Sequence, residues 1–136
     1  MIFALSTPPG VSAIAVIRTS GEGCIEAISG CLDKKPIEKN LAFVTNFVAS
    51  GLVVDRVVVT PFFAPYSFTG EDMLEISCHG SPLVISQIFS ALEALGLREA
   101  GPGEFSERAF VNGKLALNEA ESISDLIHAT SLEEAN

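Results

Sequence analysis

The sequence predicts an α/β domain, in the broad sense that includes α+β folds, with a mixed β-sheet, a long hairpin and flanking helices. Three observations favour this class. Ala13–Ile17 is an unbroken apolar run of the kind found in buried strands. Two β-rich runs, Leu41–Ala49 and Leu52–Phe63, are separated by Ser50-Gly51, which is a hairpin signal. Apolar residues then recur at helical spacing after Ser81-Pro82.

The first predicted elements are a strand and a helix. Because Ala13–Ile17 has no polar position, we expect both faces of this strand to be covered. The segment Ser20–Leu32 reads as a helix whose N-cap is Ser20. Its apolar stripe consists of Ile25, Ile28 and Leu32.

The hairpin follows a polar connector at 33–40, and Pro61 and Pro65 are expected to end its second strand. A further strand, Asp72–His79, is predicted between Gly70 and Gly80 because its side chains alternate. One face is apolar, with Leu74, Ile76 and Cys78. The other carries Met73, Glu75, Ser77 and His79, so a carboxylate and an imidazole share the outer face.

The second half is expected to be mainly helical. Ser81-Pro82 begins a helix that Gly96 stops, because serine caps and proline is tolerated at the first helical position. Its stripe is Val84, Ile85, Ile88, Phe89, Leu92 and Leu95. A short edge strand at 97–100 and a helix at 104–111 follow. Asn118 caps a last helix whose apolar stripe has no later helix to meet, so we expect the chain to be a fragment.

Composition limits the functions available to this chain. Its 136 residues suit one domain with an appendage, and its net charge is -9, from 8 basic and 17 acidic residues. Sequence-independent binding of nucleic acid needs a basic footprint, which this chain lacks. No apolar run approaches a membrane span, and Met1–Leu5 does not suit a signal peptide, so we expect a cytoplasmic location. The phosphate-cradling motif of nucleotide hydrolases is absent from the sequence.

The three cysteines do not suit a metal site or a disulfide framework. Cys24 and Cys31 lie two helical turns apart in the predicted helix, too far for a bridge. We expect these two and Cys78 to be core thiols in a reducing compartment.

Three groups of motifs closely resemble one family. They are Thr7–Gly10 with Ala13–Gly21, Ser67–Asp72 with Glu75 and His79-Gly80, and Gly101–Phe110 with Asn112–Leu115. In this order, over about residues 3–120, the chain is similar to the N-terminal domain of the MnmE/TrmE tRNA-modifying GTPases.

The resemblance implies a fold and a ligand. The fold is similar to the folate-binding domain of aminomethyltransferases, with a folate-binding and dimerisation domain at 1–117 and the first helix of a helical domain at 118–136. The implied ligand is a tetrahydrofolate, of which 5-formyl-tetrahydrofolate is the stable form, and the implied contacts are Arg18, Glu75 and Lys114. The chemistry agrees, since a carboxylate accepts the paired N–H donors of a pterin and cations hold a glutamyl tail. Neither a catalytic residue nor a metal ligand is implied for this chain.

The parent protein implied by the resemblance is a GTP hydrolase of tRNA processing. It would act as a homodimer with the flavin-containing partner MnmG/GidA, adding an aminomethyl-type group at C5 of the wobble uridine. GTP, Mg²⁺ and K⁺ would belong to its GTPase domain, which is absent from this chain, and tRNA would be held by the full complex. Two rival interpretations remain: a folate-dependent aminomethyltransferase-like domain, and a dimerisation module without ligand.

Each implied contact also has a simpler interpretation. Arg18 could pair with Glu22 or another surface carboxylate, Glu75 could be a solvated strand residue, and Lys114 could be a charge favoured at a helix C-terminus. His79 is expected to stabilise its turn.

The remaining side chains that we single out are expected to be structural. Thr69 and Asp72 should hold the backbone of their loop. Two further sets are a local ion-pair and capping group, Glu104, Glu107 and Arg108, and a group of core aromatics, Phe43, Phe47, Phe62 and Phe63.

Overall fold

The computed structural model of the chain describes residues 1–7, 13–35 and 41–115. The strands, in chain order, are β1 (Ile2–Leu5), β2 (Ile14–Ser20), β3 (Phe43–Ala49), β4 (Leu52–Phe62), β5 (Met73–His79) and β6 (Arg98–Glu99). The helices are α1 (Cys24–Ser29), α2 (Pro82–Ala94) and α3 (Glu104–Val111). The predicted α/β class is therefore confirmed, as is each of the predicted strands and helices up to residue 111.

The strands form one mixed sheet in the order β3-β4-β5-β2-β1-β6. All neighbours are antiparallel except β1 and β6, which are parallel. This order places β2 and β5 side by side in the middle of the sheet, so that residues 53 to 65 positions apart in the sequence become neighbours.

One face of the sheet carries the core. Side chains from helices α1 and α2 and from the inner face of every strand but β6 form a single apolar cluster. Its fully buried members include Phe3, Ile17, Phe47, Leu74, Ile76 and Ile88. Full burial of a large apolar side chain stabilises a fold by about 1.5–3 kcal/mol, so this face dominates the stability of the domain.

The opposite face is only partly covered, which corrects one prediction. Ile14 is 61% exposed whereas Ala15 and Ile17 are buried, so β2 is not covered on both faces in the described structure. A run of apolar residues does not reveal which of its members face the core. Among the described residues, the outer face is covered near Met73 and Ser20, where the loop before β5 folds over it.

The start of α1 also differs from the prediction. Ser20 is the last residue of β2 and its hydroxyl binds Thr69, so it does not cap the helix. The helix begins at Cys24 after Gly23, whose φ of 79° favours glycine. The predicted stripe is nevertheless right, because Ile25, Ile28 and Leu32 are all buried.

Two further differences concern strands. β1 was not predicted, because a four-residue apolar run has too little pattern to identify a strand. Pro61 does not end β4, which continues to Phe62. Pro61 lies opposite Leu74 in the β4–β5 register.

The predictions for residues 81–111 are confirmed. Ser81 accepts a hydrogen bond from the Val84 amide at 3.4 Å. Helix α2 ends at Ala94, shortly before Gly96, whose φ is 98°. The edge strand β6 and the helix α3 lie where they were expected. The predicted helix from Asn118 and the boundary between 117 and 118 lie outside the described residues. No helix in the described ranges is long and apolar enough to cross a membrane.

Candidate functional site

Arg18 and Glu75 form a pair on the outer face of the sheet. They are directly opposite each other in the register of β2 and β5, and Arg18 Nε donates to Glu75 Oε1 at 3.2 Å. The side chains are 34% and 31% exposed. The structure therefore brings together two of the three predicted site residues and gives Arg18 a partner other than Glu22.

Phe68 packs against the Arg18 side chain of this pair. Its ring centroid lies 5.3 Å from the Arg18 guanidinium carbon, within the range of a cation–π interaction. Phe68 belongs to the polar loop 67–72, which precedes β5. Our sequence reasoning did not assign it a role, although an aromatic residue in a loop of small polar residues was a usable signal.

Lys114 lies against the same loop, at Gly70. Its amide donates to the Ala109 carbonyl at 2.7 Å, just beyond the end of α3. A Cβ built on Gly70 would lie 3.5 Å from Lys114 Cγ and Cε, which places the lysine stem against the loop. Lys114 is thus joined to the Arg18–Glu75 pair through the loop that contains Phe68, and its role as a ligand contact stays a prediction.

The loop itself is held by its own side chains, as predicted. Thr69 Oγ1 accepts from the Glu71 amide at 3.2 Å, and Asp72 Oδ1 accepts from the Ala64 amide at 2.9 Å. Ser67 donates to the Glu71 carbonyl. Gly70 takes a φ of 81°, a conformation that disfavours other residues.

A chain of ion pairs joins this loop to α3 and the sheet edge. Arg108 Nη1 donates to both Glu71 oxygens at 3.0 and 3.3 Å, and Arg108 Nη2 donates to Glu104 at 3.4 Å. Arg98 makes a two-pronged contact with the same Glu104 carboxylate. Hydrogen bonding from Arg98, then from the Gly101 amide, outweighs burial and lowers the pKa of Glu104 from 4.5 to about 2. The predicted Glu104–Arg108 pair is confirmed.

His79 makes a separate contact at the far end of β5. Asp55 accepts a bond from the His79 amide and lies against its ring Nδ1, both at 2.8 Å. The imidazole is 73% exposed beside a shallow cavity of about 190 Å³. Asp55 therefore fixes both the backbone and the ring of His79, in agreement with a stabilising role.

Other candidate features prove structural or distant. All three cysteines are free, and burial raises the pKa of Cys24 and of Cys78 to about 11, so these thiols stay protonated. Phe47 is buried, and Phe43 and Phe63 pack against the core, whereas Phe62, which was also expected in the core, is half-buried outside this cluster. Two larger cavities, of about 400 and 450 Å³, flank α2, where Glu93 is the single charged lining residue. In the described ranges no cluster of side chains suits a metal ion.

Comparisons with known proteins agree with the motifs. Residues 1–114 match the family model described as "GTP-binding protein TrmE N-terminus". The chain is 44% identical over 130 residues to the tRNA modification GTPase MnmE of Opitutus terrae and 47% identical over 131 residues to that of Alkalilimnicola ehrlichii. It is also 42% identical over 126 residues to MnmE of Helicobacter pylori. These alignments cover 93–96% of the chain but only 27–29% of the relatives, so the chain spans under a third of their length.

Proposed function

The chain belongs to the family of the GTP-binding protein TrmE N-terminus, and from that premise we propose that it is the folate-binding, dimerising N-terminal domain of a tRNA modification GTPase. The proposed ligand is a reduced folate such as 5-formyl-tetrahydrofolate. The proposed likeness to the folate-binding domains of aminomethyltransferases belongs to the same hypothesis.

The observation that supports folate binding is the half-buried carboxylate of Glu75. Its Oε1 accepts from Arg18, and a carboxylate can accept about four hydrogen bonds, so acceptor sites are left for the paired N–H groups of a pterin. The bond from Arg18 orients this carboxylate. Because Arg18 adjoins Glu75, we place both at the pterin and only Lys114 at the glutamyl tail.

Dimerisation is supported by apolar surface outside the core. At the hairpin tip, Leu52 is 72% and Val53 60% exposed, and on the outer sheet face Ile14 and Val58 are also exposed. Contiguous exposed apolar residues mark interaction surfaces, and two-fold pairing is the commonest oligomeric arrangement. We propose that a second copy covers the hairpin.

The remaining roles belong to the parent protein. We propose that it hydrolyses GTP, with Mg²⁺ and K⁺ bound in a separate domain, since this sequence has no phosphate-cradling motif. Its proposed partner is a flavin-containing MnmG/GidA protein in the cytoplasm. Together they would modify C5 of the wobble uridine, with tRNA held by the full complex because this chain carries a charge of -9.

Calorimetric titration of the chain with 5-formyl-tetrahydrofolate tests the proposed ligand. We expect saturable binding, and weaker binding of p-aminobenzoylglutamate, which has the tail but no pterin. Absence of folate binding by a folded, dimeric chain would favour the dimerisation module without ligand.

A further inference from the structure

Side-chain hydrogen bonds join helix α3 and Asn112, the residue that follows it, to the polar loop 67–72. Asn112 Nδ2 donates to the Thr69 carbonyl at 2.8 Å, across 43 residues of sequence. Arg108 holds both oxygens of Glu71, two residues later in the same loop. These contacts grip the loop at two points on either side of Gly70.

The loop backbone at Gly70 lies very close to the Asn112 side chain. A Cβ added to Gly70 would lie 2.9 Å from Asn112 Cβ, a separation that side chains do not tolerate without a shift. The positive φ of Gly70 and the absence of a side chain are therefore both needed for the loop to lie against α3.

The loop is also fixed from the sheet side. Ser20, at the end of β2, lies 2.7 Å from Thr69 Oγ1 and donates to Glu71 Oε1 at 2.8 Å. Thr69 and Ser20 are fully buried, so the bond between their hydroxyls is shielded from water and costly to break. The loop is thus clamped between β2 and α3.

The clamped loop connects the two parts of the candidate site, the Arg18–Glu75 pair and Lys114. Phe68, which covers Arg18, directly precedes Thr69, and Lys114 follows Asn112 by two residues and rests against Gly70. We propose that Asn112 and Arg108 are positioning residues, which set the distance between the Arg18–Glu75 pair and Lys114 and thereby let one folate contact its pterin and tail sites together. This inference rests on the proposed folate site.

The test compares two ligands in calorimetric titrations of the full chain. The first is 5-formyl-tetrahydrofolate, and the second is a tetrahydropterin without the aminobenzoylglutamate tail. Asn112→Asp keeps the side-chain shape but replaces the donor to Thr69 by a carboxylate. We expect it to weaken binding of the tailed ligand about 3–10-fold and to leave binding of the tailless pterin unchanged. Val111→Ala, at the exposed neighbour, is the matched control and should change neither affinity.

A double-mutant cycle with Lys114→Ala separates positioning from general destabilisation. If Asn112 acts through Lys114, the lysine substitution should cost little further affinity in the Asn112→Asp background. Additive losses would contradict the proposal, as would equal weakening of both ligands. If Asn112→Asp fails to fold, Arg108→Lys replaces it in the test. This variant loses the hydrogen bonds to both Glu71 oxygens and should give the same pattern of affinities.

Failure of the folate proposal gives a different result. If the wild-type chain binds neither ligand, the folate site itself is rejected, and the positioning role with it. If wild type binds the tailed ligand and Asn112→Asp binds it equally well, only the positioning role is rejected.

Discussion

The carboxylates of Glu75 and Glu104 show how surroundings separate a binding group from a structural one. Glu104 receives donors from Arg98, Arg108 and the Gly101 amide, and its side chain is only 17% exposed. Glu75 receives one described bond, from Arg18, and is 31% exposed. A carboxylate with many protein partners stabilises the fold, whereas one with spare acceptors is available to a ligand.

Glu104 should make the domain sensitive to acid. Its pKa is about 2 in the folded chain, against an ordinary 4.5. A carboxylate whose pKa is lower in the folded than in the unfolded chain contributes its full stabilisation at pH values above the unfolded-state pKa. For Glu104 this stabilisation is lost as the pH falls from about 4.5 towards 2. We expect Glu104→Gln to lower the free energy of unfolding at neutral pH and to flatten its fall below pH 4.5. Urea unfolding at a series of pH values measures this, with Glu107→Gln as the control. An unchanged pH slope would contradict it.

Among the elements, the β3–β4 hairpin shows a turn that the sequence specifies locally. Ser50 and Gly51 have φ values of 53° and 76°, as a tight two-residue hairpin turn demands. A Cβ on Gly51 would meet no atom within 4 Å, so the need for glycine there is conformational and not steric.

Replacing Gly51 should therefore destabilise the chain through its backbone alone. We expect Gly51→Ala to lower the free energy of unfolding by about 1 kcal/mol. Gly30→Ala is the matched control, because Gly30 has a helical φ of -63° and should tolerate alanine or gain stability. Chemical denaturation compares the two, and equal effects would show that turn conformation is not the cause.

Elements were predictable where a local pattern decides the structure. The cap at Ser81, the stop at Gly96 and the turn at Ser50-Gly51, where glycine tolerates positive φ, each follow from a local residue preference. Ser20 was misassigned because a serine before a glycine suits a helix cap equally well, and only its pairing with the distant residues Ile2 and Met73 shows that it ends a strand. The Arg18–Glu75 contact is likewise set by strand order, which no local pattern contains.

At the scale of the whole molecule, the exposed hairpin tip should determine oligomeric state. We expect a homodimer in light scattering at tens of micromolar. Leu52→Lys with Val53→Lys should shift it towards monomer, because charges would be buried in an apolar contact. Val111→Lys is the control, since Val111 is 73% exposed at the end of α3, which contributes no residue to the cavity beside the hairpin. A monomeric wild type, or equal effects of both variants, would contradict a dimer formed through the hairpin.

Calorimetric titration of Glu75→Gln with 5-formyl-tetrahydrofolate tests the proposed site most directly. Glutamine keeps the shape but puts a donor where the pterin needs an acceptor. Losing such a charge-assisted pair should weaken binding about 10–150-fold. Glu22→Gln, the same change at an exposed residue near Arg18 in sequence, should bind as wild type does. Wild-type affinity in a folded Glu75→Gln variant would remove Glu75 from the site and contradict the account.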